Sequence, residues 1–375
     1  MSIKIAINTR LLLSGRLEGI GWFTFQTFRR IVQNHPEIEF HFVFDRRFDE
    51  QFIFANNIEP AVLFPPARHP ALFYLFFEQA IPAYLNKLKP DLFISPDGLL
   101  SMAYKGKQLP VFHDLNFMHN PGNLPWLSSK YYRWGFPRYA SIAHRIATVS
   151  EFSKKDIIKT LKYPAEKVDV VYNGANESFK PVSLDDARQT RLKYTAGCPF
   201  FVYVGSLHKR KNIDNMLLAF DFFKATGKYN HKLVVVGEPM FDDGWLKPLL
   251  QSIQHKDDVL FTGRLYNDEL SKVVASAQAL MLVSFFEGFG IPVLEAMYCD
   301  VAVIASNVTS LPEVAGNAAL FVDPHSVESI AGSMLAIAND ERLRQTLIEK
   351  GRVARQNFSW DKTAHRMWNS IRQCL

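Results

Sequence analysis

A chain of 375 residues is too long for one ordinary hydrophobic core and suits two domains. Its 48% hydrophobic and 21% charged residues are a globular balance, and no apolar run approaches the roughly 18 residues that cross a bilayer, which excludes a helical membrane protein. The formal charge of +6 lies wholly in residues 1–180, where 22 Lys plus Arg face 16 Asp plus Glu; with no binding motif or Lys/Arg-rich arm beside it, it reads as a solvated basic surface or as a face for an anionic acceptor or acidic membrane, and not as a nucleic-acid site.

The chain opens on Met1-Ser2-Ile3-Lys4-Ile5-Ala6-Ile7, a strand-like pattern without the longer apolar segment of a secretory signal. Export is not expected. Cys198, Cys299 and Cys374 are too few and too scattered for a disulfide framework or a Cys-based zinc site, and a reducing cytoplasm fits. Short runs rich in Val, Ile and Phe then alternate with segments of helical period: Ile3 to Ile7, Phe40 to Phe44, Ala61 to Phe64, Leu92 to Ile94, Val111 to Phe112, Ile146 to Val149 and Val168 to Tyr172. The pattern restarts with Phe200 to Val204, Leu233 to Val236, Val259 to Thr262, Ala279 to Val283, Ala302 to Ala305 and Ala319 to Val322. Strands so spaced predict parallel sheets covered on both faces, hence an α/β chain of two doubly wound, Rossmann-like domains. Residues 1–175 form the first and 198–357 the second. Residues 176–197, polar and without a sustained apolar period, read as a linker. In residues 358–375 the residues Trp360, Ala364, Met367, Trp368 and Ile371 make the apolar stripe of a docking terminal helix. In open α/β sheets ligands sit beyond the carboxyl ends of the strands, so a cleft between the two domains is the expected site.

Three segments and one histidine at such strand ends carry chemistry. In the first, Gly15, Gly19 and Gly21 follow the first strand, and Gly19-Ile20-Gly21 is part of a dinucleotide fingerprint with Thr24 where the third glycine belongs; a flexible turn explains it equally well. His113-Asp114 closes another apolar run, and a lone histidine is more often structural than catalytic. In the second, Val204-Gly205-Ser206-Leu207-His208-Lys209-Arg210-Lys211-Asn212 sets basic side chains at the end of a strand, where Lys offers a point charge and Arg a fork to phosphate oxygens. Elsewhere such a run is a solvated cluster. In the third, Phe286-Glu287-Gly288-Phe289-Gly290-Ile291-Pro292-Val293-Leu294-Glu295-Ala296-Met297 places Glu287 in a glycine-bearing loop and Glu295 about one turn into a helix that Pro292 opens. A carboxylate in an early helical turn also serves merely to complement the helix dipole, which is the alternative reading of Glu295. Two carboxylates bracketing a glycine loop otherwise suit paired sugar hydroxyls, since each accepts two hydrogen bonds. No Asp-x-Asp triplet, His-Glu-x-x-His, Gly-x-Ser-x-Gly or phosphate loop is present, so neither a metal centre nor a serine nucleophile is expected.

These residues resemble a retaining glycosyltransferase of the GT-B fold, glycosyltransferase family 4, also called group 1. Phe286 to Met297 matches its Glu-x7-Glu signature and Val204 to Asn212 is similar to its Gly-x-x-x-x-Arg-Lys-Asn element. Val149-Ser150-Glu151-Phe152-Ser153, Val171-Tyr172-Asn173-Gly174, Phe261-Thr262-Gly263 and Phe358-Ser359-Trp360 match in support. The resemblance implies that Lys211, with Arg210, neutralises the donor diphosphate, that Glu287 contacts the transferred sugar, and that Glu295 holds the nucleotide ribose. It further implies that Gly288, Phe289, Gly290 and Ile291 offer amides to sugar and phosphate, that Gly19 and Gly21 let the first loop close over the donor, and that His113 sits by the sugar. Many relatives carry Arg where this chain has Ser206, which shifts phosphate neutralisation onto Lys211. The GT-B resemblance also allows the terminal helix to cross back to the first domain.

The expected reaction is transfer of a hexose from a nucleotide diphosphate sugar to an acceptor hydroxyl with retention, without metal or other cofactor, in cell-surface polysaccharide or glycolipid synthesis. The acceptor is a saccharide or a lipid-linked glycan. Two alternatives stay open: a catalytically idle nucleotide-sugar-binding scaffold subunit, and a nicotinamide-dependent oxidoreductase, which the missing third glycine disfavours. Phe73, Tyr74, Phe76 and Phe77, near Arg68 and Lys87, fit either a peripheral membrane contact or an ordinary core helix.

Overall fold

The computed structural model describes residues 2–67, 69–239 and 244–375. Arg68 lies outside them. The chain divides into two compact units, one of residues up to Gly174 together with Trp360–Leu375, the other Ala175–Ser359.

In the first unit the strands are β1 (Lys4–Asn8), β2 (Glu39–Phe44), β3 (Ile58–Val62), β4 (Leu92–Ser95), β5 (Gln108–Phe112), β6 (Ile146–Thr148) and β7 (Val168–Val170), all parallel, in the order β3-β2-β1-β4-β5-β6-β7. Ile5 stands opposite Phe40 on one side and Leu92 on the other. Ile5, Ala6, Ile7, Phe40 and Val43 are wholly buried, as a sheet with helices on both faces requires, and burial of each Ile, Phe or Val side chain contributes roughly 1.5–3 kcal/mol. Strand β3 begins three residues earlier than the apolar run 61–64 suggests; Pro60, which cannot donate to a ladder, is tolerated because β3 is an edge. The aromatic cluster resolves as a core helix: Phe73, Phe76 and Phe77 are buried and only Tyr74 is exposed.

The second unit holds β8 (Phe200–Val204), β9 (Lys232–Val236), β10 (Val259–Gly263), β11 (Ala279–Leu282), β12 (Ala302–Ser306) and β13 (Ala319–Val322), again parallel, ordered β10-β9-β8-β11-β12-β13. Each sheet therefore reverses its winding once, between β1 and β4 and between β8 and β11. At such a point the crossover connections leave in opposite directions and open a crevice beyond the strand ends.

Three expectations need correction. Residues 176–197 are not a linker: they belong to the second unit, and Leu184–Thr195 is a helix capped by Ser183, whose hydroxyl accepts from the Asp186 amide at 3.1 Å. Its apolar period is missing because it lies on the surface, burying only Ala187, Thr190 and Thr195, and it is tethered by Lys193 and Tyr194 to Glu269. Gly19 and Gly21 are not in the loop after β1 but in the first turn of the Gly19–Asn34 helix. A Cβ on Gly21 would meet the Leu11 carbonyl oxygen at 2.9 Å, so the glycine is there to let the 9–18 segment pass close. The domain bounds shift too, since Trp360–Leu375 is part of the first unit.

The terminal helix Trp360–Arg372 docks by the stripe read from its sequence: Trp360, Ala364, Met367 and Ile371 are buried. Its polar edge is fixed as well. Arg30 donates to Asp361 at 2.6 Å, Thr363 to the Tyr172 carbonyl at 2.6 Å and Ser370 to Asp169 at 2.6 Å, and the rings of His35 and Trp368 stack 3.7 Å apart.

Candidate functional site

The site of the second unit is built at the winding reversal, from the segments that leave β8 and β11. After β8 the chain turns through Gly205 and Ser206, whose carbonyl accepts from the buried Tyr203 hydroxyl at 2.9 Å, into a single 3-10 turn over Lys209–Lys211. His208 caps that turn, Nδ1 accepting from the Arg210 amide at 3.1 Å. Asn212 ends it in the left-handed conformation, φ +58°, which Asn tolerates better than most residues. Its side-chain amide donates to the carbonyls of Val283 at 2.9 Å and Pro324 at 2.6 Å, and the Phe285 amide donates to the Arg210 carbonyl at 3.0 Å. The basic turn is thereby stitched to the end of β11.

These links bring together the residues that the sequence separates by 76 positions. Lys211 Nζ donates to Glu287 Oε1 at 2.6 Å, Arg210 reaches Oε2 at 3.3 Å and also donates to the Phe286 carbonyl, and Ser284 donates to Oε1 at 2.7 Å. The Glu287 amide donates to the Thr309 hydroxyl at 3.2 Å, and the Ser310 hydroxyl donates to the Glu287 carbonyl at 2.9 Å. The peptide groups on either side of Glu287 are thus both held. Burial opposes ionisation of Glu287, but Lys211 and Arg210 outweigh it, with hydrogen bonds from Lys211 and Ser284, and hold its carboxyl down at about 2. Glu287 thus faces two cations, Lys211 and Arg210. Such a cluster attracts a polyanion while its carboxylate keeps acceptor capacity for hydroxyls.

Beyond Glu287, residues Gly288, Phe289 and Gly290 are buried and lead into the Ile291–Tyr298 helix, with Pro292 in its first turn as the sequence predicts. Gly290 has φ +94°, and a Cβ there would meet Leu311 Cδ2 at 2.4 Å. Gly290→Ala is expected to destabilise the protein by about 1–3 kcal/mol, from backbone strain plus displacement of Leu311. Chemical denaturation measures this, and an unchanged midpoint would show that the loop absorbs the methyl without strain.

Glu295, on the same helix, is the electrostatic opposite of Glu287. Burial raises its carboxyl to about 8, and among the described residues nothing donates a hydrogen bond to it. A partly buried carboxyl without a partner costs stability when ionised, and a pair of vicinal hydroxyls would relieve that cost.

The remaining sequence candidates belong to the first unit. His113 follows β5; its Nε2 lies 2.8 Å from the Pro96 carbonyl, which only accepts, so Nε2 carries the proton. Burial lowers its pKa, and the imidazole is neutral. Its ring meets Phe23 edge-on at 5.1 Å, which links His113 to the helix that Gly19 and Gly21 open. The matched Val149 to Ser153 segment is a helix cap: Ser150 accepts from the Ser153 amide at 3.0 Å, and Ser153 donates to the His113 carbonyl at 3.3 Å. Ser284, Thr309, Ser310 and the bridging role of Asn212 were not legible in the sequence. Only the Glu-x7-Glu pattern, which demands support for a buried carboxylate, hinted that hydroxyl donors must lie nearby.

Comparison with known proteins agrees with this architecture. The family model described as glycosyl transferases group 1 matches residues 189–354, and that described as glycosyltransferase family 4 matches residues 19–179. An O-antigen chain mannosyltransferase of Escherichia coli is 29% identical over 267 residues, 71% of this chain and 70% of that protein. Among solved structures, sucrose-phosphate synthase from Thermosynechococcus elongatus is similar with a TM-score of 0.78 at 20% identity, over 99% of this chain and 98% of that one. Anabaena HepE in complex with UDP-glucose has a TM-score of 0.78 at 15% identity, over 99% of this chain and all of that one. These two likenesses bear on the fold alone, and they bear out the GT-B class.

Proposed function

Because the chain belongs to the group 1 glycosyltransferases of family 4, we propose that it moves a hexose from a nucleotide diphosphate sugar to an acceptor hydroxyl with retention at the anomeric carbon, in the synthesis of a cell-surface polysaccharide. The observation that carries this reading is the Lys211–Glu287 contact of 2.6 Å at the winding reversal of the second unit. Lys211 and Arg210 take the diphosphate, which gains charge as its bond to the sugar breaks, so their attraction is strongest where the barrier lies. Glu287, held ionised, accepts hydroxyls of the transferred sugar, and Glu295 accepts the ribose. The amides of Gly288 to Ile291 at the start of a helix line the same edge. His113, donating from Nε2 to a backbone carbonyl, leaves its other nitrogen as an acceptor for a sugar hydroxyl, while Ser206 stands on the turn that leads into the basic cluster. No metal is needed in this scheme, since the cluster supplies the positive charge. The likeness to an O-antigen mannosyltransferase makes mannose the first sugar to test.

The test is direct. Purified protein is melted with a panel of nucleotide sugars, and a donor that binds only the folded state raises the melting temperature. With the donor found, the product's anomeric configuration is read by NMR. Inversion would overturn retention, and a donor bound but left whole in the presence of acceptor sugars would overturn the enzymatic reading.

Glu295 supplies an opposed pair of outcomes. A carboxyl raised to about 8 keeps its proton in the folded state while the unfolded chain loses it near the ordinary value of about 4.5, so its contribution to stability declines as pH rises between those limits. Glu295→Gln removes that decline. Allowing for its partial exposure, the variant is expected to be more stable than the parent by about 1–2 kcal/mol at pH 8 and equal to it near pH 4. At pH 8, where ribose hydroxyls are expected to draw off the proton, the same change is expected to weaken donor binding about tenfold, because an amide offers one acceptor oxygen where the carboxylate offers two. Melting at both pH values, and titration with the donor, read the two effects separately.

A further inference from the structure

The sequence directs attention for a membrane contact to Phe73, Tyr74, Phe76 and Phe77, of which the fold buries all but Tyr74. Two exposed tryptophans lie instead on the Trp126–Ile142 helix of the first unit, where Trp126 is 69% and Trp134 40% exposed. They alternate with cations at four-residue steps, Trp126, Lys130, Trp134 and Arg138, so that all four share one face. The cations lie over the indoles: Lys130 Nζ is 3.9 Å from the Trp126 ring centre and the Arg138 guanidinium 4.7 Å from that of Trp134. Ala71, Leu127, Lys130, Tyr131 and Trp134 line an open, apolar groove of about 600 Å³. No Asp or Glu occurs from Leu115 to Ser150, while Lys130, Arg133 and Arg138 are all exposed on this helix. Among the described residues no helix is long and apolar enough to cross a membrane, so whatever meets this face meets it from outside.

We propose that this helix face docks the protein on an anionic membrane surface. The indoles enter the headgroup layer, where an amphipathic ring is favoured, and Lys130, Arg133 and Arg138 reach lipid phosphates along their aliphatic stems. The chemistry selects this occupant. A protein partner of ordinary composition would need acidic residues matched to three cations and a deep apolar pocket for the rings, whereas a leaflet of anionic lipid supplies both a dense negative charge and a yielding apolar layer. The inference rests on a surface of the first unit alone and stands or falls apart from the reaction assigned to the second.

Co-sedimentation with vesicles tests it, using phosphatidylcholine alone and phosphatidylcholine with 30% phosphatidylglycerol, at low and high salt. The parent protein is expected to bind the anionic vesicles, to bind the neutral ones at least tenfold more weakly, and to lose part of its binding in high salt. The charge-reversal triple variant K130E/R133E/R138E and, separately, Trp126→Ser with Trp134→Ser are each expected to lose tenfold or more, with melting temperatures unchanged because the altered side chains are exposed. Should the triple variant fold poorly, the tryptophan pair reads the same surface independently. Equal binding of parent and either well-folded variant overturns the proposal, as does failure of the parent to bind anionic vesicles at low salt. A dimer in light scattering that the tryptophan variant abolishes, with no vesicle binding, would assign the face to a second copy of the chain and overturn it equally.

Discussion

Lys211→Ala is expected to lower kcat by about 10²–10³-fold, the loss typical when one preorganised charge aimed at a developing anion is removed. The physical reason is positional. Lys211 is held on a turn that Asn212 pins to the carbonyls of Val283 and Pro324, so its ammonium meets the diphosphate without reorganisation. Since the diphosphate gains charge on leaving, the contact strengthens toward the transition state, and kcat should fall more than KM rises. Stability should change much less. Glu287 keeps Arg210 and Ser284 as partners, so the loss is about 1–2 kcal/mol. Lys211→Arg is a sharper control, because a planar fork on the same stem preserves charge but not the geometry of a point donor. Steady-state kinetics on variants with matched melting curves decide the matter. Equal turnover in Lys211→Ala and parent would remove Lys211 from the chemistry and with it the main support for the proposed reaction.

How much of this was visible in the residues depends on the kind of interaction. The strands were legible because parallel sheets bury both faces, so β8 and β11 read as unbroken apolar runs, and β1 and β2 as apolar runs with a polar residue at an end or, in β2, His41 within. Glu287 and Lys211 were legible because a charge beside a glycine-bearing turn has few structural excuses. The supports of Glu287 were not. Ser284, Thr309 and Ser310 are common residue types whose role comes only from the register that aligns the ends of β11 and β12. The Leu184–Thr195 helix was missed because a surface helix with three buried residues has almost no apolar period. The glycine pair 19 and 21 misled in another way. Glycine suggests a flexible loop, yet Gly21 is required by the near approach of the Leu11 carbonyl to a helix. The aromatics divided by burial, which periodicity alone does not decide: Phe73, Phe76 and Phe77 fill the core while Trp126 and Trp134 face solvent.

Glu287→Ala is expected to be the most damaging single change to stability among the site residues. Lys211 and Arg210, with side chains only 14% and 20% exposed, would be left facing each other without their shared counterion. Removing one member of a buried ion pair typically costs about 3–5 kcal/mol, because the remaining charge keeps its desolvation penalty and loses its compensation. Glu287→Gln separates charge from shape, since it keeps the side chain's size and an acceptor oxygen for Ser284. Its effect should depend on pH in a direction fixed by the carboxyl's low pKa. The parent carboxyl ionises at about 2 when folded and near 4.5 when unfolded, so its stabilisation is fully present above the unfolded value and fades as pH falls from about 5 to 2. A shift of that size is worth at most about 3 kcal/mol. The gap between parent and Gln variant is therefore expected to be widest at neutral pH and to close near pH 2–3, as the parent's acid limb descends to meet a variant that lacks it. Denaturant unfolding at pH 7, 5 and 3 measures the gap. A gap that stays constant with pH would mean that the amide's altered hydrogen bonding, and not the loss of charge, destabilises the cluster, and the Lys211–Glu287 contact would then be packing and not an ion pair.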